Sequence, residues 1–202
     1  MRMDGQGVIS ALRALAAHLD HMAGPPIGII VCGGSALQVL GLVQRSTRDV
    51  DVLAIVQTDE HGRVQLTSAE PLPSEIASGA AMVARDLGLD PDWLNPGPAQ
   101  LLEHGLPEGL WGRVHSRHYG SRLTVHFLDR VDQICLKLYA VVNGGGGGRH
   151  QADLYALHPS HGELGDAARW CLSQDASEHF PGLVASCLRK IGYPDVADGI
   201  EI

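Results

Sequence analysis

A chain of 202 residues, 45% of them hydrophobic, is long enough to bury a core of its own. Aromatic residues make up only 4%, so that core has to be built from Leu, Val, Ile and Ala. With 23 acids against 15 bases the net charge is −8, which excludes a surface coated for non-specific nucleic-acid binding and leaves room only for a local basic groove.

The four cysteines, Cys32, Cys135, Cys171 and Cys187, form no C-x-x-C pair. Cys32 and Cys135 sit in apolar stretches and read as small core residues, which argues against a disulfide or zinc framework. No apolar run reaches membrane-spanning length, and Met1–Gly7 lacks the pattern of a secretory leader. A reduced cytoplasm and no membrane partner are the expectation.

Apolar residues at Val8, Leu12, Leu15, Ala16, Leu19 and Met22 recur at helical spacing, and Gly24-Pro25-Pro26 ends that helix. Ile27–Val31 is a short, almost wholly apolar strand of the kind buried on both faces. Gly33 and Gly34 then turn the chain into a helix over Ser35–Leu42. Ser35 has two readings, a helix N-cap or a group that touches a ligand. The next strand carries Asp49 and Asp51 at its start and continues through Val50-Asp51-Val52-Leu53-Ala54-Ile55-Val56. Residues two apart share a strand face, so the two acids face one way and Val50 and Val52 the other. Arg45 and Arg48 flank this strand; Arg48 either neutralises a phosphate or offsets the acid pair.

Thr58–Arg63 is a turn-rich connector, and Ile76, Ala80, Val83, Ala84 and Leu87 mark a helix over 74–87, with Pro73 just ahead of it. Trp93 anchors a loop in the core or stacks on a base, the former being the commoner use of a large ring. Arg113–His118 and Leu123–Leu128, joined by Tyr119-Gly120-Ser121, form a β-hairpin. Its His115 and His118 point to opposite faces, which argues against a shared metal with His126. Arg113, Arg117 and Arg122 on the hairpin either contact a phosphate-bearing acceptor or, as is usual for exposed strand arginines, do nothing so specific.

Asp129–Val142 reads as an apolar helix interrupted by Lys137, which either snorkels to the surface or meets a triphosphate. The glycine run Gly144–Gly148 reads as a mobile connector, with a lid over a nucleotide as the alternative. Asp153 sits among apolar helix residues and needs a partner, for which Lys137 is the natural choice. Ser160 and Glu163 make a capping box for the next helix, and Phe180–Ile191 closes the helical part. The organisation expected is a core over 1–143 and a helical part over 149–202.

Two neighbouring carboxylates repel unless a cation lies between them, and oxygen ligands suit a hard ion such as Mg²⁺. A glycine turn opening a helix across from such a pair favours close approach of an anion. Gly33-Gly34-Ser35, a short helix and Asp49-Val50-Asp51 resemble the signature of the nucleotidyltransferase superfamily of the polymerase-beta type. The nearer resemblance is to the minimal nucleotidyltransferases that include the abortive-infection (AbiE-type) toxins, with Lys137-Leu138-Tyr139-Ala140 and Arg149–Leu154 matching two later motifs. It covers roughly residues 27–157.

The resemblance implies an α/β (α+β) fold with a mixed sheet flanked by helices and a helical C-terminal part. It implies transfer of an NMP from an NTP to RNA, a protein or a small molecule, with Mg²⁺ or Mn²⁺ as cofactor. Asp49, Asp51, Lys137 and Asp153 would be catalytic; Gly33, Gly34, Ser35, Arg48 and Lys137 would hold the nucleotide; Asp49, Asp51 and Asp129 would hold the metal. The family places a third carboxylate in the middle of a later strand. Here Asp129 stands at a strand end, where it reads equally as a helix N-cap, and a catalytically inactive nucleotide-binding or protein-interaction module is the alternative function. The oligomeric state stays open, a homodimer included.

Overall fold

The computed structural model describes residues 2–22, 24–144 and 148–200. The fold is α/β, a mixed sheet flanked by helices and followed by a helical part, and the chain forms two compact units. The first comprises 1–106 and 111–128; the second comprises 107–110 and 129–202.

The first unit contains helix α1 (Gly5–His21), strand β1 (Ile27–Cys32), helix α2 (Gly33–Val39), strands β2 (Val50–Thr58) and β3 (Val64–Ser68), helix α3 (Ser74–Leu87), and strands β4 (Leu94–Asn95), β5 (His115–Tyr119) and β6 (Leu123–Phe127). The sheet order is β3-β2-β1-β6-β5, with β4 pairing β2 beyond that path. β1 runs antiparallel to β2 and parallel to β6; β2–β3 and β5–β6 are antiparallel, and β4 is parallel to β2. The apolar stripe of α1 (Leu12, Leu15, Leu19) meets Ile29, Val31, Val125 and Phe127 of the sheet, together with Ile76 and Val83 of α3. Leu, Val and Ile dominate this cluster, as the low aromatic content requires. The full burial of Ile29, Ile30 and Val31 agrees with a strand covered on both faces.

Trp93 takes the packing role. It is fully buried, and its indole Nε1 donates to the Ala80 carbonyl at 3.0 Å, fixing the segment before β4 to α3. Arg122 departs from the expectation for a hairpin arginine. It is buried, with its guanidinium donating to the carbonyls of Leu19, Met22 and Pro25 and pairing with Glu75. A rigid five-donor fork thus gathers carbonyls at and just beyond the end of α1. Asp20 holds the hairpin turn from the same helix end by accepting from the amide and hydroxyl of Ser121 and the amide of Arg122.

The second unit contains helices α4 (Arg130–Asn143), α5 (Gly148–Ala156), α6 (His161–Gln174), α7 (Phe180–Lys190) and α8 (Pro194–Asp198). α4 packs against α5, α6 and α7, which is why it belongs here rather than with a core reaching residue 143. The reading of the glycine run as a mobile connector or lid falls largely on residues 145–147, outside the described residues. All four cysteines are buried free thiols. Among the described residues no helix is long and apolar enough to cross a membrane.

The capping box of α6 is present. Ser160 Oγ accepts from the Glu163 amide at 3.2 Å, and the Glu163 carboxylate accepts from the Ser160 amide at 2.8 Å. Arg130 adds an ion pair to Glu163 at 2.5 Å and reaches the carbonyls of Leu157 and His158. Arg130's hydrogen bonds, followed by the Ser160 amide, hold the Glu163 carboxyl down from 4.5 to about 2. A carboxyl depressed in the folded state stabilises the fold above its unfolded pKa and loses that contribution as pH falls toward the folded one. Glu163→Gln is therefore expected to cost about 1–2 kcal/mol at pH 7, the shift being discounted for the partial exposure of the pair. In urea unfolding the gap between wild type and variant should be constant at neutral pH and close as pH falls from 4.5 toward about 2. A gap that does not change with pH would show that the carboxylate charge plays no part.

Candidate functional site: an acid pair at a glycine turn

β1 passes directly into α2 at Gly33, which has φ +70°, a left-handed conformation that glycine adopts without strain. On the neighbouring strand Ile30 pairs with Ala54 but Val31 pairs with Val52, so Leu53 has no opposite number. This bulge sets the register in which Asp51 lies across from Cys32, the residue just before the turn. The Asp51 carboxylate packs on the Cα of Gly33. A Cβ there would lie 3.1 Å from Asp51 Cγ and closer still to Oδ2. At Gly34 the corresponding position is covered by the guanidinium of half-buried Arg45, with Cζ 3.1 Å from where a Cβ would stand. The two glycines thus admit one carboxylate and one guanidinium to the backbone.

Asp49 stands one residue before β2 and Asp51 is its second residue. Both acids are half-buried while Val50 and Val52 are fully buried, the alternation read from the sequence. Each carboxylate is held from a different part of the unit. Thr47 Oγ1 donates to Asp49 Oδ1 at 3.0 Å, and Thr47 is itself fixed by a two-bond bridge to Met3. Asn95 Nδ2 donates to Asp51 Oδ1 at 3.2 Å, its own Oδ1 being taken by the Gly97 amide at 2.9 Å. Asn95 arrives opposite Asp51 through the parallel β2–β4 pairing, anchored by a bond from the Val50 amide to the Trp93 carbonyl.

Asn95, Thr47 and Arg45 are therefore site residues that the motif did not name. Arg45 was visible beside the acid strand; nothing local marks Asn95, whose place follows from strand pairing. Arg48 is exposed. Ser35 is fully buried and donates to the Cys32 carbonyl at 3.3 Å. It does not cap α2, because the helix begins two residues earlier and Cys32 occupies the cap position.

The remaining predicted residues lie in the second unit. Lys137 Nζ and Asp153 Oδ2 are 2.8 Å apart, with Lys137 5% and Asp153 1% exposed, so the expected partnership is present. Asp129 is the N-cap of α4, accepting from the Val131 amide at 3.0 Å. Of the hairpin histidines, His115 and His118 are exposed, while His126 is buried and bonded to Ser116. Among the described residues no group of three or more His, Cys, Asp or Glu side chains is arranged to hold a metal ion.

The donor set at the turn nevertheless fits Mg²⁺ or Mn²⁺ in the way Mg²⁺ is commonly held, by one or two carboxylates with water and substrate phosphate completing its shell. Comparison with protein-family models, curated proteins and solved structures gives no match.

Two expectations follow. Gly33→Ala forces a side chain into the left-handed region and against the Asp51 carboxylate, and should lower stability by about 1–3 kcal/mol in thermal unfolding. An unchanged melting temperature would mean that the contact is not tight. In the second unit, Lys137→Ala leaves the buried Asp153 carboxylate without its ammonium and should cost about 3–5 kcal/mol, whereas the paired change Lys137→Met with Asp153→Leu should restore most of that loss. Urea unfolding of the four proteins in the cycle checks this, and a single variant costing under about 1 kcal/mol would contradict it.

Proposed function

We propose that the first unit carries metal-dependent nucleotidyl transfer, moving an NMP from an NTP to an acceptor hydroxyl. The observation that carries this reading is the seating of Asp51 on the Gly33 turn with Asp49 two residues away. It is supported by the resemblance of Gly33-Gly34-Ser35 and Asp49-Val50-Asp51 to the polymerase-beta type of site. Asp49 and Asp51 would hold Mg²⁺ or Mn²⁺, with Thr47 and Asn95 fixing the rotamers of the two carboxylates. Bound there, the ion would supply the Lewis-acid polarisation that eases attack at the α-phosphorus and departure of pyrophosphate. Arg45 brings a cation to the edge of the same turn, and Arg48 offers another from solvent. In the transfer the acceptor oxygen–phosphorus bond forms, the bond to the β-phosphate bridge breaks, and the hydroxyl proton passes to solvent. RNA, protein and small-molecule hydroxyls are the acceptor classes.

One observation favours a second reading, nucleotide binding or protein interaction without turnover. The described residues bring no third His, Cys, Asp or Glu into a metal-holding group with the acid pair, and Asp129 is engaged as a helix cap.

The test is incubation of the full chain with each α-labelled NTP, Mg²⁺ or Mn²⁺, and pooled RNA, protein and small-molecule acceptors. Label transfer is expected, falling about a hundredfold or more in the Asp49→Asn/Asp51→Asn protein. Calorimetric NTP binding that depends on both acids but gives no transfer would favour the second reading. Neither binding nor transfer would defeat nucleotidyl transfer and the nucleotide-binding form of the second reading, leaving only protein interaction.

A further inference from the structure

A cavity of about 420 Å³ opens in the first unit at the start of β1, the end away from the acid pair. Gly28 to Gly33 is five residues of strand, roughly 16 Å. Gly28, Thr58, Trp111, His118, Thr124 and His126 are among its lining residues. Strand register explains why they meet. Gly28 lies beside Thr124 on one side and Val56 on the other, while His126 and Thr124 pair with Ser116 and His118 across the hairpin. Side chains directly opposite on neighbouring strands share a face.

Gly28 makes the floor. A Cβ there would come 2.7 Å from the Val56 Cβ and 3.3 Å from His126 Nε2, so the absent side chain is what brings the imidazole over the backbone. His126 is 8% exposed and is oriented by a 2.7 Å bond between its Nδ1 and Ser116 Oγ. Burial, with a smaller contribution from nearby His118, pushes its pKa down; with Nδ1 engaged by Ser116, Nε2 is the ring's remaining polar atom. His118 is oriented by a 3.0 Å bond between Nδ1 and Thr124 Oγ1. Trp111 lies against His126 with ring centroids 4.8 Å apart at 56° and is 37% exposed. As a lining residue that is partly exposed, it offers ring surface on which a ligand could stack. Among the described residues the lining holds no Lys, Arg, Asp or Glu. Hydrogen-bonding groups and an indole face are what the cavity offers.

We propose that this cavity is a binding site for an uncharged planar heteroaromatic ring of the nucleobase class, stacked on Trp111 and hydrogen-bonded at its edge by His126 Nε2 and the threonine hydroxyls. The ligand's phosphates, where it has any, lie outside the cavity. The site is independent of the acid pair and does not rest on the nucleotidyl-transfer reading.

The experiment titrates adenosine, guanosine, cytidine and uridine into the full chain without divalent metal, following the Trp111 indole and His126 imidazole resonances by NMR. At least one nucleoside should shift both saturably, and its monophosphate should bind within about threefold of it. Trp111→Ala should weaken that binding about tenfold or more, while Trp111→Phe retains most of it. Gly28→Val should abolish binding; because that variant crowds Val56, the exposed Trp111 pair carries the test if it fails to fold. Asp49→Asn/Asp51→Asn should leave nucleoside affinity unchanged, which separates this site from the one at the glycine turn. The proposal is overturned if no nucleoside moves either resonance at millimolar concentration. Binding that is insensitive to Trp111→Ala, or that requires phosphate or the acid pair, overturns it equally.

Discussion

The contact on which the first unit's site depends is the carboxylate of Asp51 lying on the bare Cα of Gly33. Three features have to coincide for it to exist. β1 must end in a left-handed turn, which only glycine enters without strain. β2 must carry its bulge at Leu53, because a one-residue change of register swaps every side chain to the opposite face. Asp51 must also be held in one rotamer, which Asn95 does from a strand only two residues long. Like charges two residues apart would spread if left to themselves. Thr47 on one acid, Asn95 on the other and the Arg45 guanidinium on the adjacent glycine together offset that tendency.

A glycine stands near each end of β1, Gly28 within it and Gly33 just beyond it, and each admits a polar side chain to the backbone. At Gly33 the visitor is a carboxylate, and at Gly28 it is the Nε2 edge of an imidazole. Between them Ile29, Ile30 and Val31 are fully buried, so the strand acts as a rigid spacer. The two ends differ in electrostatic character. The Gly33 end gathers the acid pair and the Arg45 guanidinium, a charged environment. Among the described residues the lining of the His126 end holds no Lys, Arg, Asp or Glu, and this end is walled by an indole and hydroxyls. Sites built on strands inherit the stiffness of the sheet, and here one strand sets the spacing of both.

In the second unit the polar groups inside the helices are arranged by a different logic. α4 buries Asp132, Gln133 and Lys137 among leucines, and α5 buries Asp153. A buried ammonium–carboxylate pair adds little net stability over well-packed apolar groups of the same volume, but losing either partner is costly. Such a pair fixes which turn of α5 meets which turn of α4, a choice that interchangeable Leu and Val contacts leave degenerate. The Arg130–Glu163 pair does the corresponding work at the other end of α4, tying its first turn to the capping box of α6.

Periodic and local signals made α1, α3, the hairpin, α4, α6 and α7 readable, because each of these elements announces itself within a few residues. The α6 start is the clearest case, since Ser160 and Glu163 satisfy each other's amides without help from elsewhere. β3, β4 and α8 were not legible for the opposite reason. β3 is a short, largely exposed edge with only two apolar residues, α8 is little more than one turn, and β4 exists only because β2 pairs with it. The same distinction separates the site residues. Asp49, Asp51, Gly33 and Gly34 are neighbours in sequence and form a recognisable motif. Asn95 stands 44 residues from Asp51, in a stretch where the eye goes to Trp93. Arg122 looks like any solvated hairpin arginine until the carbonyls at the end of α1, about a hundred residues upstream, are found around it. A polar side chain whose partner lies far off in sequence leaves no local mark, because its chemistry is fixed by strand order and register rather than by its neighbours in the chain.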